Sequence, residues 1–380
     1  MRVVYFMRRP RPGQNHSVEH IVEGVVNALS PNIEAVRAVS RHLSVGVLPR
    51  IYNIVEAAFR QGDVNHVTGD VHFLTYLLHR QKTLLTVLDC GRIAGRPDYR
   101  KRIVKLFWFT IPVHRCAAIT VISNAVKAEL LEHVRVDPDK IHVVPVAVPT
   151  SYTRVDKPFD ADRPVILQVG TAPNKNLPRL FAALAGVRCR LRIVGALPDE
   201  YRKLLEEAQL DYESFVGLSN SEMLRQYSEC DIISFPSTFE GFGMPIIEGN
   251  IVGRPVVSGN VASMPEVASD AACLVDPFDI ESIRAGFVKV IRDAPYREGL
   301  VQRGYSNAKR YDVVAITKQY ESLYHQLAAR GRSAAVLRRS TDGDRCGGEA
   351  STADDHGTPS SRGARFGVRR NAFARREVGR

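Results

Sequence analysis

The feature that most constrains this chain is an alternation. Short apolar runs rich in Val and Ile are separated by longer stretches of helical period, and the whole pattern occurs twice. A run that is apolar on both faces reads as a strand buried between two layers, and the helical stretch between two such runs supplies the crossover that parallel strands need. In the first half the expected strands are Arg2 to Met7, Asp63 to Thr68, Leu84 to Asp89, Ala118 to Ile122 and Ile141 to Val144. Val18 to Leu29, Ile51 to Arg60 and Ala125 to His133 read as helices. The pattern breaks at PTSYTRVDKPFDADRP, Pro149 to Pro164, which has three prolines and no apolar period. It then restarts with strands at Val165 to Gly170, Leu191 to Gly195, Ser214 to Gly217, Ile232 to Phe235 and Pro255 to Ser258. Each is next to a helix, one of them opened by a capping box at Ser219 and Glu222. At 380 residues the chain also exceeds what one hydrophobic core usually organises.

The expected fold is therefore α/β, with two Rossmann-like domains. Residues 1–150 form the first, 151–163 a linker and 164–311 the second; a helix at 312–330 returns to the first domain. Residues 331–380, rich in Gly, Ser, Arg and Asp, lack apolar period and are expected to be disordered.

Charge narrows the function classes. The net charge is +11, but the last fifty residues carry eleven arginines against six acidic residues, so much of the excess lies in the tail. No recognition-helix, zinc-finger or RNP pattern accompanies it, so no specific nucleic-acid partner is expected. The six cysteines form no CxxC pair and no zinc spacing, and read as reduced, mostly buried thiols. No apolar stretch resembles a secretion signal or reaches the roughly 20 residues of a membrane span. A cytoplasmic protein is expected, with attachment to the inner face of the membrane left open.

One segment concentrates the chemistry, FPSTFEGFGMPIIEGNIVGRPVV from Phe235 to Val257. A buried strand ends at Pro236, a glycine loop follows, and Pro245 falls where the first turn of a helix belongs. The loop so delivers a helix N-terminus to the carboxyl end of a parallel strand, where open α/β sheets bind ligands. Backbone N–H groups of Gly241, Phe242 and Gly243 would face an anion such as a diphosphate. Glu240 precedes the loop and Glu248 stands inside the helix, and carboxylates suit the hydroxyls of a ribose or hexose. As bland alternatives, the two are a solvated loop residue and a helix-surface charge.

The spacing of Glu240 and Glu248 matches the E-x7-E signature, and the chain here resembles the family-4 retaining glycosyltransferases of GT-B fold, the "glycosyl transferases group 1". Two glutamates at that spacing are common by chance, but here they come with Gly-Phe-Gly, Pro245 and an upstream Lys175. Val169-Gly170-Thr171 and Asn174-Lys175-Asn176-Leu177 are similar to the family's strand, phosphate-gripping lysine and helix start. The stretches Ser263 to Val267 and Leu274 to Pro277 are similar to its continuation, and the likeness covers residues 1 to 328.

The resemblance implies a cleft between two facing domains and a nucleotide-sugar donor. It further implies a glycan or lipid-linked acceptor, envelope or exopolysaccharide synthesis, retained anomeric configuration, and neither metal nor cofactor. Carried over by position, Glu248 binds the ribose hydroxyls, Glu240 contacts the transferred sugar and Lys175 neutralises the diphosphate. Gly170, Thr171, Asn176, Gly241, Phe242, Gly243 and Pro245 line the donor. The leaving phosphate takes the acceptor's proton.

The first half departs from the pattern in two places. The family's Gly-rich loop after the first strand is represented here by the single glycine Gly13 in Pro12 to His16. At Leu85 to Asp89 many relatives carry His at the position of Leu88. Either the donor sits differently, with Asp89 or His66 helping, or this is a catalytically impaired glycosyltransferase-like protein that binds nucleotide sugar or a partner.

Two further patterns allow two readings each. His66, Asp70 and His72 are spaced as metal ligands, or else are a satisfied strand-end His and an N-cap at Asp70. Arg100-Lys101-Arg102 and Lys105, before Leu106 to Phe109, form either a membrane-docking surface or an ordinary amphipathic helix.

Overall fold

The computed structural model describes residues 1–10, 17–91, 98–148 and 151–343. Gly13 and the rest of Pro12 to His16, and the tail beyond Gly343, lie outside the described residues.

Twelve strands form two wholly parallel six-stranded sheets. The first contains β1 (Arg2–Met7), β2 (Glu34–Val39), β3 (Val64–Val67), β4 (Thr83–Val87), β5 (Ala118–Val121) and β6 (Ile141–Val143), in the order β2-β1-β3-β4-β5-β6. The second contains β7 (Val165–Val169), β8 (Arg190–Val194), β9 (Asp211–Phe215), β10 (Ile232–Phe235), β11 (Val256–Gly259) and β12 (Cys273–Val275), in the order β12-β11-β10-β7-β8-β9. Both orders reverse direction once. In the second sheet the reversal falls between β7 and β10, so the loops leaving those strands open the crevice where doubly wound sheets hold ligands.

Burial explains which strands the sequence declared. Every residue of β3, β4, β5, β10 and β11 is buried, and a fully buried Leu or Val contributes about 1.5–3 kcal/mol. The strand that sequence reading missed, β2, is the edge of its sheet; only one of its six residues, Ala38, is buried, so EAVRAV carries charges and no apolar run. β12, also missed, is an edge strand of three residues. β9 starts three residues before the expected Ser214 because its outer face, Asp211 and Glu213, is paired with Arg163, Arg190 and Arg192 rather than packed.

Other expectations need correction. The stretch 151–163, read as a linker, is fastened to the second half: Val155 N–H bonds Val252 O at 3.2 Å, Arg154 stacks on Tyr305 and Lys157 pairs with the buried carboxylate of Asp231. The last helix, Val313–Gly343, runs thirteen residues past the expected boundary at 330, because GRSAAVLRR is made largely of good helix formers. Its first turns pack on the first sheet, where Tyr324 Oη lies 2.9 Å from both Tyr5 Oη and His66 Nδ1. Asp70 does not cap the short helix His72–Tyr76, whose N-cap is Val71. The capping box of helix Asn220–Glu229 forms as expected, with Ser219 and Glu222 bonded in both directions. Cys90, Cys116, Cys189, Cys230 and Cys273 are buried and free.

Candidate active site

The loop after β7 turns at Gly170, whose φ of +89° disfavours any residue with a Cβ. A Cβ there would meet Lys175 Cε at 2.9 Å, so glycine leaves the corridor along which the lysine runs. Thr171 uses the corresponding space beside Gly195. Asn176 follows in the left-handed region at φ 62°, which Asn tolerates, and its amide bonds the carbonyls of Pro236 at 3.0 Å and Pro277 at 2.6 Å. These bonds fix where helix Leu177–Leu184 starts and so where Lys175 emerges.

The loop after β10 meets it. Thr238 N–H bonds Asn174 O at 2.9 Å, and Glu240 Oε1 accepts from Lys175 Nζ at 2.7 Å and Asn174 Nδ2 at 3.0 Å. Lys175 Nζ also lies 4.6 Å from the Phe235 ring centroid. The ion pair is mostly sheltered from water, with side chains 17% and 16% exposed, so it keeps more of its attraction than a surface pair.

Beyond Glu240 the backbone is held by serines. Ser263 Oγ donates to the carbonyls of Glu240 at 2.9 Å and Phe242 at 2.6 Å, and Ser123 Oγ donates to Gly241 O at 2.9 Å. A trans peptide points its N–H opposite its C=O. Anchoring those three carbonyls therefore turns the N–H groups of Gly241, Phe242 and Gly243 away from the serines, and they donate to no described group. Gly243, at φ 124°, leads into helix Met244–Val252 without a side-chain cap, and Pro245 sits in the first turn as expected. The Phe242 ring itself points into the core, edge-on to Tyr311.

Ser123 belongs to the first sheet's half of the molecule, so two halves build this loop. Gly241 is packed against Leu88 O and Asp89 Cβ, and the Asp89 carboxylate is exposed beside it, accepting from Gly91 N–H at 2.9 Å. A second contact lies nearby, where Glu266 accepts from Asn124 N at 2.9 Å, Asn124 Nδ2 at 2.8 Å and Ala125 N at 3.3 Å. It so satisfies free amides at the start of helix Asn124–His133.

Glu248 is half-buried in the helix that follows the loop, where its carboxylate accepts from Tyr227 Oη. Burial raises its carboxyl above the ordinary glutamate range, against the opposing pull of hydrogen bonds from Tyr227 and Tyr152 and of the Lys175 charge. Tyr152, edge-on to Tyr227 at 5.3 Å, comes from the linker.

The structure thus brings together Gly170, Thr171, Lys175, Asn176, Glu240, Gly241, Gly243 and Asp89, with Glu248 one helix turn further on. It removes His66 as a helper in place of the absent histidine. That ring is buried with both nitrogens engaged, to Tyr324 Oη at 2.9 Å and Thr86 Oγ1 at 2.7 Å, and burial lowers its pKa to about 3. His72 is bonded to Trp108 O at 2.7 Å, so the two histidines serve different neighbours, and among the described residues no group of three His, Cys, Asp or Glu is placed for a metal ion. Sequence reasoning gave no role to Ser123, Ser263, Glu266, Tyr152 and Tyr227, although Ser263 and Glu266 lie in a stretch similar to the family's continuation.

Residues 152–307 match the sequence pattern of the glycosyl transferases group 1, and residues 3–152 that of glycosyltransferase family 4. The chain belongs to glycosyltransferase family 4. Among relatives, an MMP alpha-(1->4)-mannosyltransferase of Mycolicibacterium hassiacum is 26% identical over 261 residues, 63% of this chain and 62% of the relative. An O-antigen chain mannosyltransferase B of Escherichia coli is 26% identical over 279 residues, 66% of this chain and 72% of that protein. The chain thus spans a little under two thirds of the first relative's length. Among solved structures the fold is similar to that of a sucrose-phosphate synthase from Thermosynechococcus elongatus, at TM-score 0.69, 18% identity, and coverage of 87% of this chain and 100% of that one. It is also similar to Anabaena HepE in complex with UDP and glucose, at TM-score 0.70, 13% identity, and coverage of 85% and 99%. These likenesses identify the two facing Rossmann-like domains of the GT-B fold.

Proposed function

We propose that this family-4 protein is a metal-independent, retaining hexosyltransferase. It takes a sugar from a nucleotide-sugar donor and passes it to a glycan or lipid-linked acceptor in envelope or exopolysaccharide synthesis, at the cytoplasmic face of the membrane. The observation that carries this reading is the constellation at the β7/β10 reversal. There the Lys175–Glu240 pair stands beside a loop whose carbonyls are held by serines and whose amides have no partner among the described residues, at an uncapped helix N-terminus. A lysine and a set of amides favour a diphosphate, and the carboxylates of Glu240 and Glu248 favour hydroxyls of the sugar and the ribose.

In the reaction the bond from sugar C1 to the diphosphate oxygen breaks and the acceptor hydroxyl oxygen bonds to C1. The hydroxyl proton passes to the departing diphosphate, whose growing charge Lys175 and the loop amides stabilise. In this reading Asp89, exposed beside Gly241, accepts a hydrogen bond from the acceptor or the sugar. The relatives named as mannosyltransferases support a mannosyl donor as the first to test. A second reading rests on Leu88, which puts an apolar side chain where many relatives have His: a protein that binds nucleotide sugar but transfers slowly.

The test is a thermal-shift titration with UDP, GDP, ADP and their sugar conjugates in EDTA, followed by NMR of the product anomer. One nucleotide should stabilise the wild type and not Glu248→Ala, and Lys175→Gln should lower transfer by at least about 10²-fold. Stabilisation without any transfer would favour the second reading, and stabilisation by none of these from folded protein would refute a donor site.

A further inference from the structure

Helix Val47–Phe59, between β2 and β3, turns most of its large apolar residues away from the core. Its inward face buries only Asn53 and Ala57, with Ile54 partly buried against the core. Its apolar stripe, Leu48, Ile51, Tyr52, Val55 and Phe59, follows helical spacing and points outward, with Leu48 79% and Phe59 87% exposed. Such a stripe gains nothing from folding and is normally selected against on a soluble surface.

A second stripe lies beside it. Between β4 and β5 the segment Asp98–Val104 and the π-helical turns Lys105–Thr110 expose Tyr99, Ile103, Leu106 and Phe107. Right-handed crossovers put both helices on the same face of the first sheet, because each carries the chain in the same direction across it. The two touch, since the Arg50 guanidinium lies 4.9 Å over the Trp108 ring. Tyr76 Oη, between them, donates to Phe107 O.

Charge decides what covers this face. Arg100, Arg102 and Lys105 are exposed among the apolar residues of the second stripe, with Lys101 half-buried, and Asp98 is the one acidic residue of that segment. A second copy of the chain would set these cations against cations. An anionic lipid surface attracts them while its acyl region accepts the apolar side chains, the arrangement by which interfacial helices bind. We propose that this two-helix face docks flat on an anionic membrane, with helix Val47–Phe59 as the principal apolar anchor. The proposal does not depend on the transfer chemistry, since the face carries none of the residues at the β7/β10 loops.

The experiment is flotation of the full chain with vesicles of phosphatidylcholine alone or mixed with phosphatidylglycerol. It is paired with quenching of Trp108, the single tryptophan, by brominated acyl chains. Binding to anionic vesicles with quenching is expected. Leu48→Glu and Phe59→Glu should each weaken it at least about tenfold, and Arg100→Gln and Arg102→Gln roughly fivefold each. Thermal unfolding of these variants should be unchanged, because all four positions are exposed. Equal binding to neutral vesicles, flotation without quenching, or binding indifferent to the four substitutions would overturn the proposal. So would a wild-type dimer that these substitutions dissociate in a chain that ignores vesicles. Nucleotide-induced stabilisation measured on the same variants reads the donor site separately.

Discussion

At Gly241 the two halves are in close contact, and adding one methyl group there should separate chemistry from stability. A Cβ on Gly241 would lie 2.3 Å from Leu88 O, short by 1.1 Å of the 3.4 Å at which ordinary contact begins. The obstacle is a backbone carbonyl at the end of β4, which cannot swing aside as a side chain would. Gly241 has no positive φ, so alanine fits its backbone and the fold itself has little to lose. Either the halves part by about 1 Å or the loop recoils, and both stretch the 2.9 Å bond from Ser123 that orients the loop. Misplacing catalytic groups by about 1 Å costs on the order of 10²-fold in rate, equivalent to about 2.7 kcal/mol of transition-state stabilisation. Gly241→Ala should therefore lower kcat/KM for sugar transfer by roughly 10²-fold. Nucleotide affinity should fall less, because Lys175 and Glu248 both belong to the second half. Gly217→Ala is the control, since φ there is +70° with no atom within 4 Å; strain of about 1–2 kcal/mol should lower stability and leave turnover alone. A Gly241→Ala enzyme within about threefold of wild type would show that the contact does not position the loop, against the roughly 10²-fold expected.

Three further outcomes are expected. Glu248 has a raised carboxyl, so its contribution to stability is complete below the ordinary glutamate range and is lost as pH rises through the higher folded value. Glu248→Gln should flatten that part of a Tm-against-pH profile and be at least as stable as wild type at neutral pH while losing donor binding; an unchanged profile would mean the carboxylate is not desolvated. His66, lowered to about 3, is held neutral, so stability should fall as pH drops below about 6.5, by at most about 1.4 kcal/mol per pH unit, until the folded pKa is reached. Chemical denaturation at pH 7 and 5 should show that loss and His66→Gln should lack it, though the variant starts less stable. Glu266→Ala removes the acceptor of the bonds from Asn124 and Ala125; a loss of about 1 kcal/mol and a severalfold higher acceptor KM are expected, and an unmoved KM would show that this contact does not set how the two halves meet at the acceptor.

The primary sequence determined what depends on local patterning. Runs such as Leu84 to Val87 and Ile232 to Phe235 are apolar on both faces because they are buried on both, so their parallel packing was legible. The same holds for the β10 loop, where Gly-Phe-Gly, Pro245 and the Glu240/Glu248 spacing lie within one stretch of sequence. Edge strand β2 was silent because only one of its six residues, Ala38, is buried. The end of the last helix was misread because composition without apolar period resembles disorder even where Ala, Leu and Arg sustain a helix.

Tertiary structure alone decided which distant groups meet. Ser123 reaches Gly241 across 118 positions and Glu266 reaches Asn124 across 142, while Tyr152 and Tyr227 close on Glu248 from a linker and another helix. No local periodicity encodes such pairings, because they arise from where two separately folded sheets come to rest against each other. The same holds for Leu48 to Phe59, whose amphipathic pattern is plain in the sequence but whose outward direction depends on what the rest of the fold leaves uncovered.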